Sequence, residues 1–333
     1  MATDIKKIFS SFNDLTVLII GDVMVDSYMW GHVTRISPEA PVPIVAVDKK
    51  EDRLGGAANV ALNIQAMGAT PILCSIVGDD KAGYLFADLL KKQKISTNFI
   101  IKSKQRTTTV KTRVIGNNHQ MLRVDEEITT PLSKKENELL LSAVKKLIAD
   151  KKIDIIIFED YDKGCLNLDS INGIISLATK KNIPTAVDPK KNNFWGYTGV
   201  TLFKPNLKEL REGLKLDFDP TNTNELNKVV SQFIKKQKIQ TALITLSDKG
   251  MYVHNEKVKQ IIPAHVRNIS DVSGAGDTVI SVAALCVASG MDAVVTAKLA
   301  NLAGGLVCEQ TGVVPINKKQ LLQEAMAINQ TIQ

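Results

Sequence analysis

Along most of this chain, short runs of valine, isoleucine and leucine alternate with longer stretches of helical periodicity, and that alternation restricts the fold more than any other feature. The runs Leu15–Ile20, Pro71–Val77, Ile153–Phe158, Pro184–Val187, Thr201–Phe203 and Ala242–Thr245 read as buried strands. Between them, Ala57–Met67, Lys81–Lys92, Lys134–Ala149, Leu168–Thr179 and Leu207–Leu214 read as helices. Strands joined through helices run parallel, and a parallel sheet is covered on both faces, so the expected class is α/β with a mostly parallel central sheet. No repeat, low-complexity tract or Pro/Ser linker divides the 333 residues, so the chain reads as one continuous domain, 1–333, with inserted pieces.

Two inserted segments, about 28–50 and 107–124, break the alternation. They alternate polar with apolar residues, and Pro38, Pro41 and Pro43 exclude a helix interior from the first. Open α/β sheets bind ligands outside the carboxyl ends of their strands, where a small β appendage would act as a lid. Two ordinary surface hairpins would give the same pattern.

The excess of 42 basic over 35 acidic residues gives a formal charge of +7, with lysines scattered in pairs such as Lys49/Lys50. With aromatics at 5% and no basic stripe, a nucleic-acid partner is not expected. The longest uncharged apolar stretch, Thr278–Met291, falls short of the ~20 residues of a membrane span, so no membrane partner is expected either. The first apolar run ends at Gly21-Asp22 without a signal-peptide cleavage site, and Cys74, Cys165, Cys286 and Cys308 form no CxxC. A cytoplasmic location is the expectation.

The strongest chemical signal is Asp271-Val-Ser-Gly-Ala-Gly-Asp277, which runs directly into an uncharged helix expected over Thr278–Gly290. Gly274, Ala275 and Gly276 let successive N–H groups face one way, and the helix start adds free donors and partial positive charge: an anion cradle. Asp277 in the first turn is favoured as a carboxylate by the same dipole and could take a proton from a hydroxyl beside the cradle. Phosphoryl transfer to an alcohol needs that combination. No lysine follows as in a Walker loop, and Val279 stands where a dinucleotide fingerprint has its last Gly or Ala. A helix cap remains the bland reading of Asp277.

Gly55-Gly-Ala-Ala-Asn59 opens another helix, where Asn59 offers a donor and an acceptor to a sugar hydroxyl, although tight packing also explains the small residues. Asp22 and Asp26 follow the first strand. Arg113 and Arg123 flank the Gly116-Asn-Asn118 turn, and with Lys163 they could hold a phosphate if the strand register puts both on one face; ordinary solvated lid charges fit the spacing equally well. Lys190, Lys204-Pro-Asn206-Leu-Lys-Glu209 and Thr245-Leu-Ser-Asp-Lys-Gly250 follow strands; Asn206, Glu209 and Thr245 suit nucleotide phosphates and hydrated magnesium, or serve as caps.

Several of these segments, in this order from Leu15 to Val314, resemble the ribokinase-like carbohydrate kinases, the PfkB family. Gly21-Asp-Val-Met-Val-Asp26, Arg35-Ile-Ser-Pro-Glu-Ala-Pro-Val-Pro43, Gly55-Gly-Ala-Ala-Asn59 and Asp160-Tyr-Asp-Lys-Gly164 are most similar to the kinase half of ADP-heptose synthases. The resemblance implies a three-layer ribokinase-like sandwich whose β lid clasps a second copy in a homodimer. It implies ATP and Mg2+, and phosphorylation of D-glycero-β-D-manno-heptose 7-phosphate at the anomeric oxygen; another sugar or sugar phosphate is the alternative. Asp277 then resembles the base, Gly274 to Gly276 the anion hole, and Asp22, Gly55, Gly56 and Asn59 the sugar-contacting positions. Arg113, Arg123 and Lys163 are assigned to the sugar's phosphate. Lys190, Asn206, Leu207, Lys208, Glu209, Thr245, Ser247, Gly250 and Asn301 fall on the nucleotide side, with Glu209 toward the metal. Ser273 stands where Thr is usual, and Glu159 where a small or Ser-like residue is common. None of His32, His119, His254 and His265 forms the paired-His motif of a nucleotidyltransferase, so a separate protein is expected to add the nucleotide.

Overall fold

The computed structural model describes residues 5–265 and 267–331. Among them, the strands β1 (Thr16–Gly21), β2 (Val23–Ile36), β3 (Pro43–Gly56), β4 (Thr70–Gly78), β5 (Ile100–Ser103), β6 (Thr109–Gly116) and β7 (His119–Glu126) fill the first part of the chain. They are followed by β8 (Ile155–Glu159), β9 (Thr185–Asp188), β10 (Leu202–Phe203), β11 (Thr241–Thr245), β12 (Met251–His254) and β13 (Lys259–Ile262). The helices are α1 (Ile5–Ser11), α2 (Ala57–Ala66), α3 (Lys81–Lys92), α4 (Lys134–Asp150), α5 (Leu168–Lys180), α6 (Leu207–Leu214), α7 (Thr223–Gln237), α8 (Ala275–Ala288), α9 (Ala293–Val307) and α10 (Lys318–Thr331).

Strand alternation builds the layers. Val17 and Ile19 of β1 and Ile155 and Ile157 of β8 point into an apolar layer shared with α2, α8 and α9. Their neighbours Leu18, Ile20, Ile156 and Phe158 point the other way, onto α4, α5 and α7. The sheet between these layers has the order β13-β12-β11-β10-β9-β8-β1-β4-β5. It is parallel from β5 to β11, with β12 and β13 added as an antiparallel hairpin. This is the expected covered α/β sheet. Because β1 lies between β4 and β8, the chain leaves it in both directions, and the carboxyl ends of β1, β8 and β9 border one crevice.

The segments that break the alternation form a second sheet, β3-β2-β6-β7. Pro38 and Pro41 lie in the connection between β2 and β3, and Pro43 begins β3. Asn117 and Asn118 both take positive φ (51° and 64°) in the two-residue turn joining β6 to β7, the twist that suits a tight hairpin. Helix α3 and α6 have the expected bounds, while α8 starts at Ala275, three residues earlier than expected. All four cysteines are buried and unpaired, and no helix is long and apolar enough to cross a membrane among the described residues.

Ile157, fully buried in the α2/α8 layer, tests this packing. Ile157→Ala is expected to cost about 2–5 kcal/mol, read as a lower urea midpoint. A loss under ~1 kcal/mol would contradict close packing there.

Candidate active site

Parallel register sets out the crevice. Gly21 at the end of β1 lies beside Glu159 at the end of β8, and Glu159 lies beside Asp188 at the end of β9. A Cβ on Gly21 would come within 1.9 Å of the Glu159 carbonyl oxygen, so only glycine allows the strands this close. Glu159 has the parity of Ile157 and faces α8. Asp160 turns to the other layer and accepts from the Tyr197 hydroxyl at 2.6 Å.

Helix α8 supplies the opposing wall. Gly274 is its N-cap, at φ 79°, and a Cβ there would meet Asn59 Nδ2 at 2.8 Å. Thr278 N–H is bonded to Gly274 O and Ala275 N–H to Val272 O, while the first-turn amides of Gly276 and Asp277 lie ahead of the first intrahelical bonds. Asp277 is buried; its Oδ2 accepts from Asn59 Nδ2 and its Oδ1 from the Tyr161 hydroxyl, both at 2.7 Å. Burial pushes its pKa up to about 6, and these two bonds oppose the rise. Desolvation therefore outweighs the helix dipole, yet Asp277 remains largely ionised at neutral pH.

Charged groups of opposite sign crowd the same place. Lys204 Nζ, itself buried, is 2.7 Å from Asp188 Oδ2, and the ideal Cβ position of Gly276 is 3.5 Å from both groups. Lys190 holds Glu209, the N3 residue of α6. Burial alone would lower the Lys190 pKa, but the Asp188 and Glu209 carboxylates outweigh it and raise it. Asn206 caps α6 reciprocally with Glu209, at 2.8 Å in each direction, and bridges to Thr245 at the end of β11.

Asp277, Asn59 and the Gly274–Gly276 segment are thus linked, through Asp188 and Lys204 beside Gly276, to Lys190, Glu209 and Asn206. Thr245 ends β11, and Ser247 and Gly250 follow it; a Cβ on Gly250 (φ 93°) would strike Ile262 O at 2.0 Å. Asn301 bonds Pro263 O, Leu207 packs at the edge of the core, and Lys208 pairs with Glu212. Asp22 has a different setting from the one its position suggested: its carboxylate accepts from the Tyr161, Lys163 and Cys165 amides and ties down the 160–165 loop. Gly55 and Gly56 are closed over by Asp26 and by the Asp22 carbonyl.

On the second sheet Arg113 and Arg123 are direct cross-strand partners and share a face. Arg113 is 14% exposed and bonds Asp26 at 2.6 Å; Arg123 is 51% exposed and forks onto Asp125. Lys163 is held by Glu127 at 2.7 Å and does not join them. Sequence reasoning had not singled out Tyr161, Asp188 or Lys204, although each lies inside or beside a quoted motif.

Residues 14–320 match the pfkB family of carbohydrate kinases. The chain belongs to that family and is a carbohydrate kinase. A curated relative, the Bifunctional protein HldE of Sulfurimonas denitrificans, is 36% identical over 306 residues, covering 92% of this chain and 63% of that protein. The chain therefore spans less than two thirds of that relative's length. Escherichia coli phosphofructokinase-2 in complex with fructose-6-phosphate superimposes with a TM-score of 0.76 at 17% identity, covering 95% of this chain and 99% of that one. Arabidopsis thaliana ribokinase complexed with ribose and ATP gives 0.67 at 16%, covering 93% and 98%. At these identities the likeness is one of fold, which is ribokinase-like.

The raised pKa of Asp277 has a stability consequence. The folded state holds this proton more tightly than the unfolded chain, so the carboxyl costs nothing below about pH 4 and its full penalty appears as pH rises through about 6. Relative to wild type, Asp277→Asn is expected to gain up to roughly 3 kcal/mol in stability between pH 4 and pH 7.5, measured from urea midpoints. A difference independent of pH would mean that Asp277 is not desolvated.

Proposed function

We propose that this kinase transfers the γ-phosphoryl group of ATP to the anomeric hydroxyl of D-glycero-β-D-manno-heptose 7-phosphate, giving the 1,7-bisphosphate and ADP. One observation carries the reading: a buried carboxylate, Asp277, oriented by two hydrogen bonds, stands in the first turn of α8 directly after the Gly274–Gly276 cradle. The sugar class rests on the motif resemblance together with relatives named Bifunctional protein HldE.

In this mechanism the sugar hydroxyl displaces an Asp277 hydrogen bond, and its oxygen attacks the γ-phosphorus while the bond to the β-phosphate oxygen breaks. Asp277 receives the proton, and ADP leaves. The first-turn amides of Gly276 and Asp277 and the Lys204 ammonium stabilise charge on the moving group. Lys190 exchanges Glu209 for phosphate oxygens. The Glu209 carboxylate, which already attracts that ammonium, fits the water shell of Mg2+, whose chemistry is neutralisation of the nucleotide phosphates. The four-stranded sheet acts as the lid, with Arg113 taking the sugar's existing phosphate. Its opposite face, with exposed Leu122 and Val124, suits pairing of two copies. The anomeric phosphate formed is the handle for a nucleotidyltransferase acting next.

Asp277→Asn should keep most substrate affinity and lose roughly 10²–10⁴ in turnover. Near-normal turnover of the folded variant would remove Asp277 as the base. Arg113→Ala is expected to raise KM for heptose 7-phosphate about tenfold, a loss of ~1.4 kcal/mol, with ATP little affected. Arg123→Ala, whose charge is solvated, should change neither by more than about fivefold. Equal losses for phosphorylated and unphosphorylated sugars would refute a phosphate-reading lid, and a panel of sugar phosphates identifies the preferred acceptor.

A further inference from the structure

Among the buried acids the mechanism leaves unused, Glu159 stands apart. Glu159 is fully enclosed, and neither of its carboxylate oxygens has a hydrogen-bond partner among the described residues. Asp188 Oδ1, on the adjacent strand in direct register, is also without one. An enclosed acceptor without a donor costs about 1–3 kcal/mol, so three such atoms together need an explanation. One proton removes most of the difficulty. Placed on Glu159, it removes that group's charge and supplies an O–H beside the neighbouring Asp188 carboxylate.

The neighbours decide which carboxyl takes it. Glu159, Asp188 and Asp277 offer oxygens that all lie within 4.8 Å of one another. Asp277, on α8, has donors in Asn59 and Tyr161. Asp188 has the Lys204 ammonium on its other oxygen, while the Lys190 ammonium, 4.0 Å from its Oδ1, is engaged by Glu209. Only Glu159 lacks any donor, so its ionised form is the least supported of the three. Burial, followed by the charges of Asp188 and Asp277, raises its proton affinity well above that of an ordinary glutamate; the two lysines oppose this only in part.

We propose that Glu159 is held protonated, donating to Asp188, and that by staying neutral it keeps the crevice fit for an ionised Asp277 and an incoming phosphoryl group. Glu159 is then a positioning residue: it touches neither substrate in the mechanism above and acts through Asp188 and Asp277. Loss of its proton at alkaline pH would put a further negative charge beside the base and opposite the anionic phosphate, and turnover would fall. The link to turnover rests on the reading of Asp277 as the base, whereas the protonation of Glu159 does not.

Two measurements separate these. Infrared spectra of the full chain at neutral pH, without substrates, should contain a carboxylic-acid carbonyl band that disappears in Glu159→Gln and persists in Asp277→Asn. A spectrum lacking the band, or a band that Glu159→Gln leaves in place, overturns the protonation. In sugar-dependent ATP turnover, the alkaline limb of kcat/KM should move up by at least about one pH unit in Glu159→Gln, whose amide is neutral and keeps a donor, while the acid limb stays in place. A merely structural role would scale the profile without moving that limb; an unmoved limb overturns the role in turnover. If heptose 7-phosphate fails as acceptor, the function proposed above falls while the infrared result still stands.

Discussion

The candidate active site depends on three parallel strands ending in register. Because β1 finishes in Gly21, β8 approaches closely enough for its last residue to lie beside Gly21 on one side and Asp188 on the other. Parallel pairing then delivers Glu159 and Asp188 to one face and Asp160 to the other. The first face meets the amino end of α8, where backbone donors and Asp277 converge. A helix dipole favours that carboxylate, but it is buried more deeply than the dipole can offset, and its pKa rises to about 6. A carboxylate in this condition binds its proton readily and still starts ionised near neutrality, as the base role proposed for Asp277 requires.

Much of this arrangement was legible in the residue order. The strand and helix segments read from periodicity match those observed to within a few residues, because buried strands and amphipathic helices carry period-specific patterns. Asp277 stood out as a candidate because a glycine pair, a carboxylate and a helix start are all local. What escaped were contacts that exist only once strands are paired. Tyr161 on Asp277, Lys204 on Asp188, and the juxtaposition of Glu159 with both depend on register, which the sequence does not display. Asp22 illustrates the same limit. Its position after β1 suggested a ligand-facing acid, yet three amides of the 160–165 loop surround it.

The second sheet follows a similar logic. Alternating polar and apolar residues identified strands, and the Asn117-Asn118 turn gave a hairpin, but only pairing shows that Arg113 and Arg123 face the same way. Their environments then separate them: one is enclosed with Asp26, the other solvated with Asp125.

On the role proposed for Arg113, its pairing with Asp26 sets the terms on which a phosphate would enter. Asp26 is tethered and nearly enclosed, so it acts as an internal competitor that neither diffuses away nor dilutes. A visiting anion must offer the guanidinium more than a carboxylate does and must also leave Asp26 tolerably placed, since breaking a buried pair exposes the partner's uncompensated charge. In that role a doubly charged, three-oxygen group would meet the condition more readily than chloride or a simple carboxylate, and the pair would act as a threshold, set by exchange cost before shape is consulted.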